Sequence, residues 1–308
     1  MKCIAPRRSF GVELGAERVY DAAMGKHRAG LALAIAPLAL ASTAACGGGE
    51  SGPSDAPVVI IPDAPPDGPP DAPPDARTYD LSCASTPFPT TAPATVTAAG
   101  TVQELGMSGV SAVAGATLAT FQIGGEAAVD TATSDATGGF TTGALPTGGA
   151  PFDGYIRASK ADAQNPYRHT FVFPPAPLAA DLPLVPVLML RASLFSLIAS
   201  AVAGVNQNDA ANGALMVFVT DCTSTPIPGS TVSVKRDGVA VGTVFDFSQV
   251  SPMAAGAYFV FNVPAGEVDV SASYEGTTFP AHRVISFANG GDVANGATTL
   301  TIARPGPL

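Results

Sequence analysis

Along residues 267–275 polar and apolar side chains alternate without a break. Val268, Val270, Ala272 and Tyr274 fall on one side, and Glu267, Asp269, Ser271, Ser273 and Glu275 on the other. Such a period of two predicts a strand with one buried and one wet face, as in an antiparallel sheet. The run from Thr231 to Phe245 carries a second signal, with Asp237-Gly238 as a hairpin turn between two β-prone segments. Val185 to Leu190 predicts a further strand. The period then changes: Leu194, Leu197, Ile198, Ala201 and Val202 form one apolar stripe at helical spacing. Ser193 is the expected N-cap of that helix and Gly204 its end. Pro183, Pro186 and Arg191 exclude a membrane span across this apolar region.

The chain also echoes itself. Gly115-Ala-Thr-Leu118 parallels Gly229-Ser-Thr-Val232, and Gly138-Gly-Phe140 parallels Gly256-Ala-Tyr-Phe259. The segment Leu145 to Ser159 parallels Val263 to Ser273, and Tyr167 to Phe173 parallels Phe279 to Phe287. The same elements recur in the same order, which predicts an internal duplication. Short strands spaced by Gly and Pro turns predict an all-β fold. The expected architecture is two tandem antiparallel β-sandwiches, residues 81–191 and 207–308, with a short bridging helix at 192–206.

Three motifs carry a family likeness: Ala114-Gly-Ala-Thr117 with Pro228-Gly-Ser-Thr231, Ser134-Asp-Ala-Thr-Gly-Gly-Phe140, and Leu145-Pro-Thr-Gly148 running on to Tyr155-Ile-Arg-Ala-Ser159. They resemble the carboxypeptidase regulatory-like domains over roughly residues 90–308. That resemblance implies a transthyretin-like or immunoglobulin-like sandwich with a non-catalytic accessory or binding role. The second repeat departs from the pattern, since Phe247 to Ala255 replaces the acidic glycine turn.

Ahead of the repeats, Ala29 to Ala45 is uncharged and follows Lys26-His-Arg28. A basic start, an apolar core and small closing residues make a secretory signal, expected over residues 1–45. The run is marginal for spanning ~30 Å of hydrocarbon, and an ordinary secretory cleavage or an uncleaved anchor are the rival readings. Thr43-Ala-Ala-Cys46 resembles the lipobox of bacterial lipoproteins, with Thr43 where the family usually has Leu. The resemblance implies that Cys46 is lipid-modified and begins the mature chain. The same resemblance implies the outer membrane, because Gly47 stands where such lipoproteins carry Asp for retention at the inner membrane. Met24-Gly-Lys-His-Arg28 is itself a proper basic start, so Met24 is the expected initiator and Cys3 is absent from the mature protein.

Residues 46–80 read as a disordered tether. From Pro62, proline pairs separate Asp63, Asp67, Asp71 and Asp75. Proline fixes φ and removes donors, so this stretch cannot join a sheet and should be extended polyproline II. Fifteen such residues reach roughly 45 Å at about 3.1 Å each. Successive carboxylates turn by about 120° on that helix, which suits solubility and not a metal cage.

Charge narrows the partners. Beyond Cys46 there are 22 acidic and 9 basic residues, a net charge of −13. A chain so acidic has no footprint for nucleic acid and is repelled by anionic lipid. Of the remaining cysteines only Cys83 and Cys222 can pair, and in an oxidising compartment one disulfide is expected, with two buried thiols as the alternative.

Catalytic signals are missing. His169 and His282 fall at corresponding places in the two repeats, which favours a shared structural position over a catalytic pair. There is no His-Glu-x-x-His and no Gly-x-Ser-x-Gly, and Thr147-Gly-Gly-Ala150 lacks the lysine that phosphate binding needs. Asp130 and Asp135 lack EF-hand spacing, and Asp135-Ala-Thr-Gly138 reads as a turn. Of Tyr155, Tyr167, Tyr258 and Tyr274, the last is assigned to the core by alternation, and aromatics in a sandwich are mostly packing. No catalytic, cofactor or metal site is therefore expected. The expected function is a lipid-anchored cell-envelope module, bound to the membrane through Cys46 and to an envelope protein or polysaccharide. The alternatives are an accessory subunit of an envelope hydrolase or transporter, and a hydrolase built around His169 or His282 with nearby acids.

Overall fold

The first half of the fold is a set of short strands: β1 (Thr95–Val96), β2 (Ala98–Gly106), β3 (Gly109–Ala112), β4 (Thr117–Gln122), β5 (Ala128–Thr133), β6 (Gly139–Thr141), β7 (Leu145–Pro146), β8 (Gly154–Ser159), β9 (His169–Phe173) and β10 (Leu182–Met189). Helix α1 (Ala192–Ser200) follows. The second half contains β11 (Asn212–Val219), β12 (Thr231–Arg236), β13 (Val239–Ala240), β14 (Thr243–Asp246), β15 (Ala257–Pro264), β16 (Gly266–Tyr274), β17 (Thr277–Thr278), β18 (His282–Ser286) and β19 (Ala297–Ala303). This computed structural model describes residues 78–206, 209–251, 254–290 and 296–307. Met24, Cys46 and nearly all of the spacer lie outside the described residues, which all belong to one compact unit.

The protein is all-β with a single α-helix among the described residues. Its centre is an eight-stranded sheet in the order β14-β15-β11-β19-β9-β8-β4-β5. Four of those strands come from each half, and they meet where β19 pairs in parallel with β9. The two sandwich halves thus share one sheet. A row of direct partners crosses it: Thr120, Ile156, Val172, Leu300, Met216 and Phe259. All six are buried, and Thr120 is the one polar member.

The two faces of this sheet are covered by different partners. Val172, Leu300, Met216 and Phe259 pack with Val102, Val187 and Met189 of the small sheet β10-β2-β3, and with Phe195 of α1. Their strand neighbours Phe171, Phe173, Leu215, Val217 and Tyr258 point the other way, against Val232, Val234, Val268, Val270 and Val284 of the β12-β16-β18 sheet. Covering both faces explains why β11 and β19 are buried almost without interruption, where a one-sided strand would alternate. Each such aliphatic or aromatic side chain contributes about 1.5–3 kcal/mol by leaving water.

The duplication shows in the register. Thr117 faces Ser159 in β4–β8, and Thr231 faces Ser273 in β12–β16, both partners 114 positions further on. The Asp237-Gly238 hairpin forms as expected, with positive φ at both residues and Arg236 opposite Val239. Where the acidic glycine turn is missing, a 3-10 turn over Phe247–Gln249 replaces it, capped by the Asp246 carboxylate on Ser248 N–H.

Two expectations are corrected. His282 faces Val270, and Val172 faces Ile156, whose place in the repeat is that of Val270; the counterpart of His282 is therefore Val172, not His169. The connection after the second copy is shorter, so equal strand order does not bring equal residues into register. The helix is also turned. Its N-cap is Arg191 in an extended conformation with no side-chain cap, and Ser193 lies within the helix. The buried side carries Leu194, Phe195, Ile198 and Ala199, while Leu197 is 55% exposed. The cause is Phe195, which packs on Phe261 of the second half at 5.7 Å and lies under the Arg168 guanidinium at 3.6 Å.

Candidate functional site

Cys83 and Cys222 form a disulfide, with Cα atoms 5.8 Å apart. Around it the entering chain is fastened to the second half. Cys222 N–H donates to Asp80 O at 2.8 Å, and Asp80 N–H donates to Asp221 Oδ2 at 3.1 Å. Tyr79 meets Tyr274 edge-on at 5.2 Å, so Tyr274 is half-buried beneath the entry segment rather than deep in the core. Arg304 Nη2 donates to Cys222 O at 2.9 Å, which brings the end of β19 to the same place. Asp221 is buried, which raises its pKa. The bonds from Thr225, Thr223 and Asp80 outweigh that burial and keep the carboxyl ionised.

A cleft of about 430 Å³ lies between the halves. Phe88, Phe173 and Pro177 form its apolar side, and Asp153, Asp269 and Arg283 its charged side. Partial burial, ahead of the nearby Glu267, raises the Asp153 carboxyl above its ordinary range, although Arg283 opposes it. Arg283 reaches Glu267 at 3.4 Å across a well-exposed pair.

His282 also lines this cleft, and its geometry bears directly on catalysis. Its Nε2 lies 2.6 Å from Thr301 Oγ1, a spacing that suits a base and a nucleophile. Thr301, however, is completely buried, and its hydroxyl donates to Phe173 O at 3.2 Å. With that proton committed, His282 Nε2–H must be the donor to Thr301. Burial holds the imidazole neutral, with a pKa lowered to about 4. The pair is a structural bridge between sheets.

His169 sits at the start of β9 beside Ala297, whereas His282 bonds to Thr301 four residues along β19. At 3.3 Å per residue that is roughly 13 Å, too far for shared chemistry. Burial lowers the His169 pKa, and the charges next to it are Arg157 and Arg168, cations rather than acids.

Asp135 is the turn its sequence suggested. Its Oδ1 accepts from Thr137 N–H and Oγ1–H and from Gly139 N–H, all at 2.8 Å. Asp130 accepts from Gly143 N–H at 2.9 Å, so the two carboxylates serve separate backbone groups. No metal-type cluster of His, Cys, Asp or Glu occurs among the described residues.

Tyr155 stacks on Phe121 and Phe173 at 5.3 and 5.0 Å, and Tyr258 is buried. Tyr167 belongs to a polar clamp that the sequence did not announce. Arg191 donates to Glu104 at 2.8 Å, Asp162 at 2.7 Å and the Tyr167 hydroxyl at 2.7 Å, and Tyr167 donates to Glu104 at 2.5 Å. Burial and Glu104 push the Tyr167 phenol up to about 12, and Arg191 draws Asp162 down to about 2. Arg168 was missed as well. It is fully buried, bonded to Thr298 and Asn289, and covers Phe195. A charged residue inside a strand pattern was its only signal.

No protein-family model matches the chain, and no curated protein matches it. Among solved structures it is similar to the Bacillus anthracis TIE protein, at 12% identity over 68% of this chain and 34% of that one, with a TM-score of 0.23. The chain thus spans about a third of that protein. The shaft pilin SpaA of Lactobacillus rhamnosus GG gives 10% identity over 70% of this chain and 99% of that one, with a TM-score of 0.22. The minor pilin of Streptococcus agalactiae gives 10%, 69% and 97%, with a TM-score of 0.21. Likenesses this distant bear on neither activity nor partner.

Proposed function

We propose that this protein is a lipid-anchored component of the cell envelope, at the outer membrane, whose folded unit is a non-catalytic structural or binding module. The observation that carries the reading is the fastening at Cys83–Cys222. A chain arriving from a tether is covalently pinned to the far half of the fold before its first long strand begins. Such a clip suits a domain that is held by its entry segment. The export-type segment ahead of Cys46 and the Pro/Asp spacer support the same reading from sequence, and the repeats fit a carboxypeptidase regulatory-like accessory role. The closed His282–Thr301 pair and the cationic surroundings of His169 speak against a hydrolase at either histidine.

The test is Cys46→Ser in cells fed a radiolabelled or clickable fatty acid. Wild-type protein should take up label and fractionate with membranes. The variant should lose the label and either leave the membrane fraction or stay unprocessed. Unchanged fractionation and no label in the wild type would refute the anchoring.

A further inference from the structure

A narrow slot enters the first half beside the cleft, sharing Gly154, Phe173, Pro174 and Pro175 with it. It runs beneath β10, where Pro183 and Pro186 interrupt the strand and the register against β2 shifts between Leu182 and Val185. That shift turns Leu184 outwards, 82% exposed, at the rim. Inside, Leu145, Phe152, Ile156, Val172, Leu178 and Leu300 enclose about 50 Å³ of space. No charged side chain lines it.

One polar group faces this apolar room without a partner. Thr120 is 2% exposed, lines the slot, and its Oγ1 makes no hydrogen bond. It shares its row across the sheet with Ile156, Val172 and Leu300, positions where an aliphatic side chain is the rule. A buried hydroxyl without a partner is unfavourable, and a valine of nearly the same shape would avoid the cost. Tyr155 is the other lining residue with a polar side-chain atom, and its ring is held in the aromatic stack with Phe121 and Phe173. A trapped water needs two to four polar partners, and the side chains of the slot offer one free hydroxyl. The hydroxyl is satisfied by a guest that brings its own oxygen and is otherwise apolar.

We infer that the slot binds a small uncharged aliphatic molecule carrying a single hydroxyl or carbonyl oxygen, its chain against the apolar walls and its oxygen on Thr120 Oγ1. A threonine hydroxyl serves both oxygens, donating to a carbonyl or accepting from an alcohol. Carboxylates are excluded, because no cation lines the slot and an unpaired buried charge is far costlier than a neutral dipole. On this measure of space one water takes about 10–15 Å³, so roughly three to five heavy atoms fit, and the rest of a longer chain leaves past Leu184. This inference goes beyond the anchoring reading and stands whether or not Cys46 carries a lipid.

The experiment is a titration of the mature protein, followed through backbone amide resonances, with 1-pentanol and with pentanoate. Pentanol should shift the amides around Thr120, Ile156 and Val172 and saturate at roughly millimolar concentration, the range open to so small a ligand. Pentanoate should give no saturable shift there. Thr120→Val, which keeps the shape, should bind pentanol about tenfold more weakly, while Thr120→Ser should stay within about threefold of wild type. Equal affinity in Thr120→Val, pentanoate binding as well as the alcohol, or shifts scattered outside the slot would each overturn the inference. Should Thr120→Val fail to fold, Thr120→Ser and the pentanol–pentanoate pair decide it alone.

Discussion

In the second half of the fold, β15 runs eight residues and pairs with β11 on one side and β14 on the other. Its counterpart in the first half, β6, runs three residues and pairs with β2 alone. Both sit after a glycine of positive φ, Gly256 and Gly138, so two different turns end alike and feed strands of different length. The long strand widens its sheet and carries Phe259 and Phe261 into the core. The short one lies across β2 from β10 and pairs with no further strand, so the small sheet ends there. A duplicated pattern of strands therefore repeats topology, while the length of one strand decides how far its sheet extends.

If the halves are truly one body, the largest effect should come from cutting the clip between them. Replacing both Cys83 and Cys222 by Ala opens a loop of 139 residues. The chain-entropy account puts the loss at up to about 5 kcal/mol, with measured cases often smaller. Urea denaturation of the double variant, and of the wild type with reductant, should show matching losses. The shared β9–β19 pairing predicts that unfolding stays a single transition even so. Two separate transitions would show that the halves fold independently and that the common sheet couples them weakly.

Much of this comparison was legible before any coordinates. Alternation at 267–275 and the Asp237-Gly238 turn are local signals, the order of repeated elements and the only available cysteine pair are matters of counting, and each appears in the fold. What was not legible is non-local. Nothing in the period of β19 distinguishes a central strand, flanked by two parallel neighbours and covered on both faces, from one at a sheet edge. The stripe on α1 was misplaced because Leu197 and Phe195 are equally apolar, and only the site of Phe261 decides which turns inwards. Thr120 carries no local signal, since threonine favours strands whether or not its hydroxyl finds a partner.

The two histidines sharpen the contrast at the next level. In the second half, burial holds His282 at about 4, against 6.5 for the ordinary imidazole. Below pH 6.5 the unfolded chain takes up a proton that the folded chain refuses until about pH 4. Stability is thus complete above pH 6.5 and falls as pH drops through that window, by about 3 kcal/mol at most. The loss is separable from that of Asp162, whose depressed carboxyl matters only between 3.8 and about 2. Urea midpoints at pH 7.5 and 4.5 measure it. His282→Gln can still bond Thr301 but cannot titrate there, so it should flatten most of the slope. His169, shifted in the same direction, adds to what remains, and Asp153, raised by burial, opposes it. An unchanged slope in His282→Gln would show that the bridge to Thr301 survives protonation.

The smallest expected effect separates two turns with nearly the same backbone. Gly138 in the first half has φ 81°, and Gly238 in the second has φ 78°. Alanine in this left-handed region costs about 1–2 kcal/mol by itself, because its Cβ crowds the adjoining carbonyl. At Gly238 that is the whole cost, since an added methyl group would meet nothing within 4 Å. At Gly138 the same methyl group would stand 2.4 Å from Val102 O, the acceptor at the next step of β2. Gly138 N–H also closes the Asp135 turn, and Gly138 O accepts from Val102 N–H at 2.7 Å, so the backbone has little room to retreat. Gly238→Ala should therefore lower stability by about 1 kcal/mol. Gly138→Ala should exceed it by at least about as much again, given the clash. Urea midpoints of the two variants measure the difference. Equal losses would mean that β2 yields at Val102, and that the first half is the more pliable of the two.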